Sequence, residues 1–172
     1  PPVPPKTFSM NALSAVSLFT CGGIGDLALR AAGYDVLVSN ELLAERHAVF
    51  ARNFPETTAI TGNVWEKADE IVAGALARLN GRPLDLLYAT PPCQGMSKNG
   101  RGKLLNAIRA GEKPARDERN RLIIPALQIA KRLRPEIVLL ENVPEMEHAR
   151  IIDDQGRLTS ILEFVARELG DD

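Results

Sequence analysis

An apolar run that stops at two consecutive prolines constrains this chain more than any other stretch. Leu84-Asp85-Leu86-Leu87-Tyr88-Ala89-Thr90 runs into Pro91-Pro92-Cys93-Gln94-Gly95. Each proline fixes its own φ, restricts the residue before it and withholds an N–H, so a strand must end by Thr90 and present Cys93 beyond its carboxyl end. A lone cysteine is most often a small buried hydrophobe. Here, however, a second apolar run, Ile137-Val138-Leu139-Leu140, ends in Glu141-Asn142-Val143 before another proline. A cysteine and a glutamate therefore project from two strand ends, the edge where open α/β sheets carry their chemistry.

The rest of the chain supplies such a sheet. Ala15-Val16-Ser17-Leu18-Phe19 reads as a strand entering the glycine turn Thr20-Cys21-Gly22-Gly23-Ile24-Gly25-Asp26, after which Leu27, Leu29, Ala31 and Ala32 predict a helix ending at Gly33. A turn of this kind lets backbone approach a ligand and aims helix amides at it. Val36 to Glu41 is a second strand, and Glu41 stands eighteen residues after Gly23. Its carboxylate is placed to accept two ribose hydroxyls, to cap a following helix over Leu42 to Asn53, or both. A nicotinamide-dependent dehydrogenase fits this spacing equally well. Ala59 to Val64 gives a third strand and turn, and Ile71, Ala75, Leu76 and Leu79 mark a helix over Glu66 to Leu79, stopped by Asn80-Gly81-Arg82-Pro83. Three βα units and a fourth strand demand a parallel sheet with right-handed crossovers.

Further on, Leu122, Ala126, Ile129 and Leu133 recur at helical spacing, with Pro125 expected to kink an early turn. Ser160 and Glu163 form a capping-box pattern that opens a last helix, with Leu158, Ile161, Leu162, Val165 and Leu169 on its apolar face. No strand is predicted after the one ending at Glu141, and no internal repeat is visible.

With 172 residues and 45% apolar content, the chain can bury one core. Residues 1–14, opening Pro1-Pro2-Val3-Pro4-Pro5, read as an extended or disordered arm and 15–172 as the domain. The net charge of −1 argues against a uniformly nucleic-acid-coating surface, yet Lys98 to Arg121 holds eight Lys/Arg against three Asp/Glu, which suits a phosphate-facing patch. Gln94 to Arg119 is long and aperiodic, the mark of a segment that binds something or is disordered. Cys21 and Cys93, the only cysteines, suggest neither a disulfide framework nor a metal site, and a reducing cytoplasm is the expected location. No apolar run is long enough to span a bilayer, so no membrane partner is expected.

Phe19-Thr20-Cys21-Gly22-Gly23, Ser39-Asn40-Glu41, Pro91-Pro92-Cys93-Gln94, Asp117-Glu118-Arg119-Asn120-Arg121-Leu122 and Glu141-Asn142-Val143, in this order and spacing, resemble the DNA (cytosine-5)-methyltransferase family. The resemblance runs from Ala15 onward but covers only about the first half of the family's catalytic region. The Gln-x-Arg-x-Arg motif, the target-recognition domain and the last two motifs have no counterpart. It disfavours the dehydrogenase, which does not account for Pro-Pro-Cys-Gln or Glu-Asn-Val. It implies a Rossmann-like, S-adenosylmethionine-dependent methyltransferase fold, an α/β parallel doubly wound sheet incomplete at its C-terminal side. Carried across, Phe19, Thr20, Gly22, Gly23, Glu41, Leu42, Asn63, Val64, Pro92 and Leu122 would line the S-adenosylmethionine site, with Glu41 on the ribose and Asn63-Val64 beside the adenine. Cys21 stands where the family usually has glycine, Asn63 where it has aspartate, and Thr90 where glycine is frequent.

The resemblance also implies the chemistry. Cys93 would add as a thiolate to C6 of cytosine and Glu141 would stabilise the charge entering the ring, on a base flipped from double-stranded DNA. Ser97 to Lys103 would close over it. A tRNA cytosine substrate and a non-catalytic remnant or binding subunit remain open, as does a second polypeptide or further region carrying target recognition. The outer edge of the strand at Ile137 to Glu141, apolar and without charge or proline, is expected to associate or to leave the chain marginally stable.

Overall fold

The computed structural model describes residues 12–92, 121–153 and 155–170. They fall into two compact units, one drawn from Pro1–Thr90 and Ile129–Leu140, the other from Pro91–Gln128 and Glu141–Asp172.

The first unit is a parallel five-stranded sheet of β1 (Leu13–Leu18), β2 (Tyr34–Glu41), β3 (Thr58–Thr61), β4 (Leu86–Ala89) and β5 (Ile137–Leu140), in the order β3-β2-β1-β4-β5. The connections are the helices α1 (Ile24–Ala31), α2 (Ala44–Asn53), α3 (Val64–Leu79) and α4 (Ile123–Leu133), the last crossing from one unit into the other. Strand order reverses between β1 and β4, which makes the sheet doubly wound. On one face Ala15, Val36 and Leu86 pack with Leu29 of α1 and with Phe50 and Phe54 around α2. On the opposite face Val38 and Ile60 approach Gly74 of α3.

One irregularity decides what this sheet presents at its edge. Ala15 pairs with Val36, but Val16 pairs with Val38, so β2 carries one extra residue at this point. Such a bulge inverts the alternation beyond it. Ser39 and Glu41 consequently join Val36 on the α1/α2 face, while Val38 and Asn40 take the α3 face.

Several boundaries differ from the sequence reading for local reasons. Strand β1 begins at Leu13, because the Ser14 N–H and hydroxyl donate to Asp85 Oδ2 at 2.6 and 2.7 Å and tie the chain to the start of β4; Leu13 and Ser14 thus lie within the sheet. Helix α3 begins at Val64, capped by Asn63, whose Oδ1 accepts from the Trp65 N–H at 3.1 Å. Pro125 produces no break: it is the third residue of α4, where an N–H would have no intrahelical acceptor.

In the second unit a short 3₁₀ helix (Pro144–His148) leads into an antiparallel hairpin of β6 (Arg150–Ile152) and β7 (Leu158–Ser160), and α5 (Ile161–Leu169) follows. The hairpin corrects the expectation that no strand follows β5. Asp153, with a fully buried side chain, accepts from the amides of Gln155 and Arg157 and from the guanidinium groups of Arg157 and Arg167, closing the turn where Gly156 adopts φ 78°. The capping box is formed, Ser160 accepting from the Glu163 N–H while Glu163 accepts from the Ser160 N–H. The apolar face of α5 is narrower than expected, however. Ile161 and Phe164 are buried, whereas Leu162 is exposed and Leu158 belongs to β7.

Candidate active site

In the first unit the carboxyl ends of β1, β2 and β3 gather the residues expected to hold a cofactor. The turn after β1 is tightly held: Thr20 N–H donates to the Asn40 carbonyl and Gly23 N–H to the Thr20 carbonyl. Gly23 is the one residue type its place admits. Its φ is +88°, and a Cβ there would meet the rings of Phe54 and Phe50 at 2.8 and 2.9 Å. Phe19 and Cys21 also adopt positive φ, 62° and 51°, without being glycine; the Cys21 thiol is exposed.

Glu41 ends β2, nearly buried, and its carboxylate clamps the turn to the next helix. Oε2 accepts from the Cys21 N–H at 2.9 Å and Oε1 from the Leu43 N–H at 3.0 Å. The helix-capping role is thus present. Each oxygen keeps a lone pair for a further donor, which is the arrangement a ribose diol requires. Leu42 is largely exposed beside it. Asn63 is half-buried as the cap of α3, and Val64 buries its side chain in the core, so that only its backbone, in the unsatisfied first turn of the helix, is available to a ligand. Thr20 is buried with its hydroxyl unpartnered, Gly22 is half-buried, and Thr90 spends its hydroxyl on the Phe19 carbonyl at 3.0 Å, a bond glycine cannot make.

Three residues near this edge were given no role of their own by the sequence reading. Asn40, on the α3 face, donates to the carbonyls of Ile60 and Gly62 and so carries the end of β3 along with β2. His47 of α2 is buried, with Nε2 2.9 Å from Ser39 Oγ and Nδ1 2.7 Å from Thr61 Oγ1. Burial pushes His47 below its ordinary pKa, and Glu41 offsets part of the shift. Asp26, in the first turn of α1, is 1% exposed and neither carboxylate oxygen has a partner. Burial raises its pKa, against which the nearby Ser17 hydroxyl pulls. A local signal existed for Asp26, an acid in a first turn, but not for its burial.

The second unit holds the other motif residues. The Asn142 side-chain amide donates to the Pro91 carbonyl at 2.9 Å, and Asn142 Oδ1 accepts from the Val143 N–H at 2.8 Å. The Glu-Asn-Val segment is therefore bonded directly to the Pro-Pro segment that precedes Cys93. Glu141 is exposed, and Pro92 and Leu122 are half-buried. Cys93, the segment Ser97 to Lys103 and Asp117 to Asn120 lie outside the described residues. Among those described, no group of His, Cys, Asp and Glu could hold a metal ion, and no helix is long and apolar enough to cross a membrane.

Comparison with known proteins agrees with this geometry. A type II methyltransferase, M1.HgaI of Avibacterium volantium, is 31% identical over 160 residues, covering 92% of this chain and 42% of that protein. M.NgoPII of Neisseria gonorrhoeae is 30% identical over 143 residues, covering 83% of this chain and 36% of its own length. The chain therefore spans less than half the length of these relatives. Among solved structures, a DNA modification methyltransferase encoded within an Escherichia coli prophage superposes with a TM-score of 0.67 at 25% identity, over 94% of this chain and 38% of that one. The Dnmt2 methyltransferase of S. pombe shares the fold at a TM-score of 0.57 and 16% identity, over 92% and 40%. This is the Rossmann-like fold of S-adenosylmethionine-dependent methyltransferases. The family model described as C-5 cytosine-specific DNA methylase matches residues 13–162, which take in the whole of the five-stranded sheet, the glycine turn and both motif segments, and the chain belongs to that family.

Proposed function

We propose that this chain is the cofactor-binding and nucleophile-bearing part of an enzyme that methylates C5 of cytosine in double-stranded DNA, completed by a further region or second polypeptide that recognises the target. The observation that carries this reading is the hydrogen bond from Asn142 to the Pro91 carbonyl, which tethers the segment of Glu141 to the segment that leads into Cys93. The family relationship supplies the reaction class.

S-adenosylmethionine fits the residues present in the first unit. Glu41 has an acceptor free on each oxygen for the ribose, Asn63 retains amide capacity beside the adenine, and the Phe19–Gly23 turn offers backbone to the methionine moiety, with Leu42 and Val64 beside them; Pro92 and Leu122 are assigned to the site by the family resemblance alone. When bound, it supplies an electrophilic methyl group. The chain's own residues make cytosine able to take that methyl. Cys93 adds to C6 as a thiolate, which needs a local cation or helix end because a free thiol has a pKa of about 8.5. Glu141 shares a proton with N3 and so neutralises charge pushed into the ring. C5, now the carbon of an enamine, takes the methyl; its proton then leaves and the Sγ–C6 bond breaks, restoring the thiolate. The target base must leave the duplex stack to be reached.

The test is covalent capture of an oligonucleotide carrying 5-fluorocytosine, in the presence of S-adenosylmethionine and of the relatives' C-terminal half. There the C5 substituent cannot leave and the adduct persists. Capture should vanish in Cys93→Ser, fall severely in Glu141→Gln and survive Cys21→Ser. Capture through Cys21, or capture indifferent to Cys93, would overturn the assignment.

A further inference from the structure

We propose that His47 is a positioning residue that sets the ribose-side and adenine-side groups of the cofactor site against each other. The inference rests on the cofactor reading above. His47 joins the two strands that deliver those groups. Its Nε2 lies 2.9 Å from Ser39 Oγ, two residues before Glu41 on the same face of β2, and its Nδ1 lies 2.7 Å from Thr61 Oγ1, two residues before Asn63. Thr61 and Glu41 are direct register partners across β2 and β3. The imidazole therefore bridges both strands within two residues of the end of the sheet.

It also fixes α2. Glu41 Oε1 is held by the Leu43 N–H at the entrance to that helix, and Glu41 Oε2 by the Cys21 N–H of the glycine turn. His47 is one turn further along α2, 2% exposed. A neutral imidazole has one donor and one acceptor, and the two hydroxyls can each play either part, so both bonds are satisfied in one tautomer. Without the ring, the ties from α2 to Ser39 and Thr61 are lost, and the two strands that carry Glu41 and Asn63 are no longer held to each other through α2; the carboxylate keeps only its bonds to the Cys21 and Leu43 amides. The bulge in β2 is what makes this contact available, since it turns Ser39 and Glu41 toward α2.

The experiment is calorimetric binding of S-adenosylhomocysteine, and separately of adenosine, to the full chain as wild type, His47→Phe, His47→Gln and Thr61→Val. Each is measured below its own unfolding transition. Loss of both bonds in His47→Phe should weaken both ligands by about tenfold, a single hydrogen bond's worth of geometry. His47→Gln, with one donor and one acceptor, should recover most of that loss. Thr61→Val, at the exposed end of β3, should weaken both ligands even if the phenylalanine variant fails to fold. A folded His47→Phe or Thr61→Val that binds as tightly as wild type, with only its melting temperature lowered, would show a purely structural role and overturn the proposal. So would a glutamine variant as weak as the phenylalanine one. A wild-type chain that binds neither ligand would overturn the cofactor reading itself, and this inference with it.

Discussion

Replacing Gly23 by alanine tests the glycine turn as a packed object rather than a flexible one. The residue adopts φ +88°, where an L side chain costs about 1–2 kcal/mol, partly offset by the roughly 0.5–1 kcal/mol that glycine itself forfeits on being ordered. A Cβ would also stand 2.8 Å from Phe54 and 2.9 Å from Phe50. Those rings cannot retreat easily: they are buried, stacked on each other at 4.5 Å, and Phe54 lies under the Arg30 guanidinium at 4.0 Å. Overpacking of this kind costs about 1–3 kcal/mol. Gly33 provides the control, with φ +90° and open space around the added carbon. Gly33→Ala should therefore cost no more than about 1.5 kcal/mol, and Gly23→Ala about 1–3 kcal/mol more than that. Urea unfolding followed by circular dichroism reads both. Equal midpoints for the two variants would refute the argument, because the backbone term alone would then account for Gly23.

Asp26→Asn should stabilise the chain at neutral pH by about 1 kcal/mol, since an unpaired buried charge costs more than an unpaired amide. The folded-state pKa of Asp26 is raised above 3.8, so the folded chain retains a proton that the unfolded one releases, and stability falls as pH rises from 3.8 through that value. The gain from Asn should accordingly shrink below pH 3.8 in a pH series of unfolding curves; a gain that is constant with pH would count against burial as its cause. His47 has the opposite sign. Its folded value lies below 6.5, so its contribution is complete above 6.5 and is lost as pH falls from there, a dependence that His47→Gln should remove. At the other end of the sheet, Ile137 and Leu139 are 53% and 45% exposed on β5, whose outer edge is unpaired among the described residues. Concentration-dependent association measured by light scattering should be reduced by Leu139→Lys, and association unchanged by that charge would rule out this edge as the contact.

The parts of the molecule written in local chemistry were legible from the sequence. Tandem prolines end β4 and a glycine turn opens α1, because backbone restriction and freedom belong to single residues. The capping box at Ser160 likewise needs only residues three apart. The motif residues could be named for the same reason. What could not be read depends on neighbours distant in the chain. An alternation of two along β2 puts Glu41 on the face opposite Val36, and only the pairing with β1, which slips between Ala15 and Val16, brings the two to the same face. The hairpin after β5 is closed by Asp153 reaching Arg167, fourteen residues on, and strands of three residues carry too little periodicity to announce themselves. His47 looked like one more residue on a helix. Its role exists only because β2 and β3 lie side by side, bringing Ser39 and Thr61 to its two nitrogens: the sequence names the donors and acceptors, and the register of the sheet decides which of them meet.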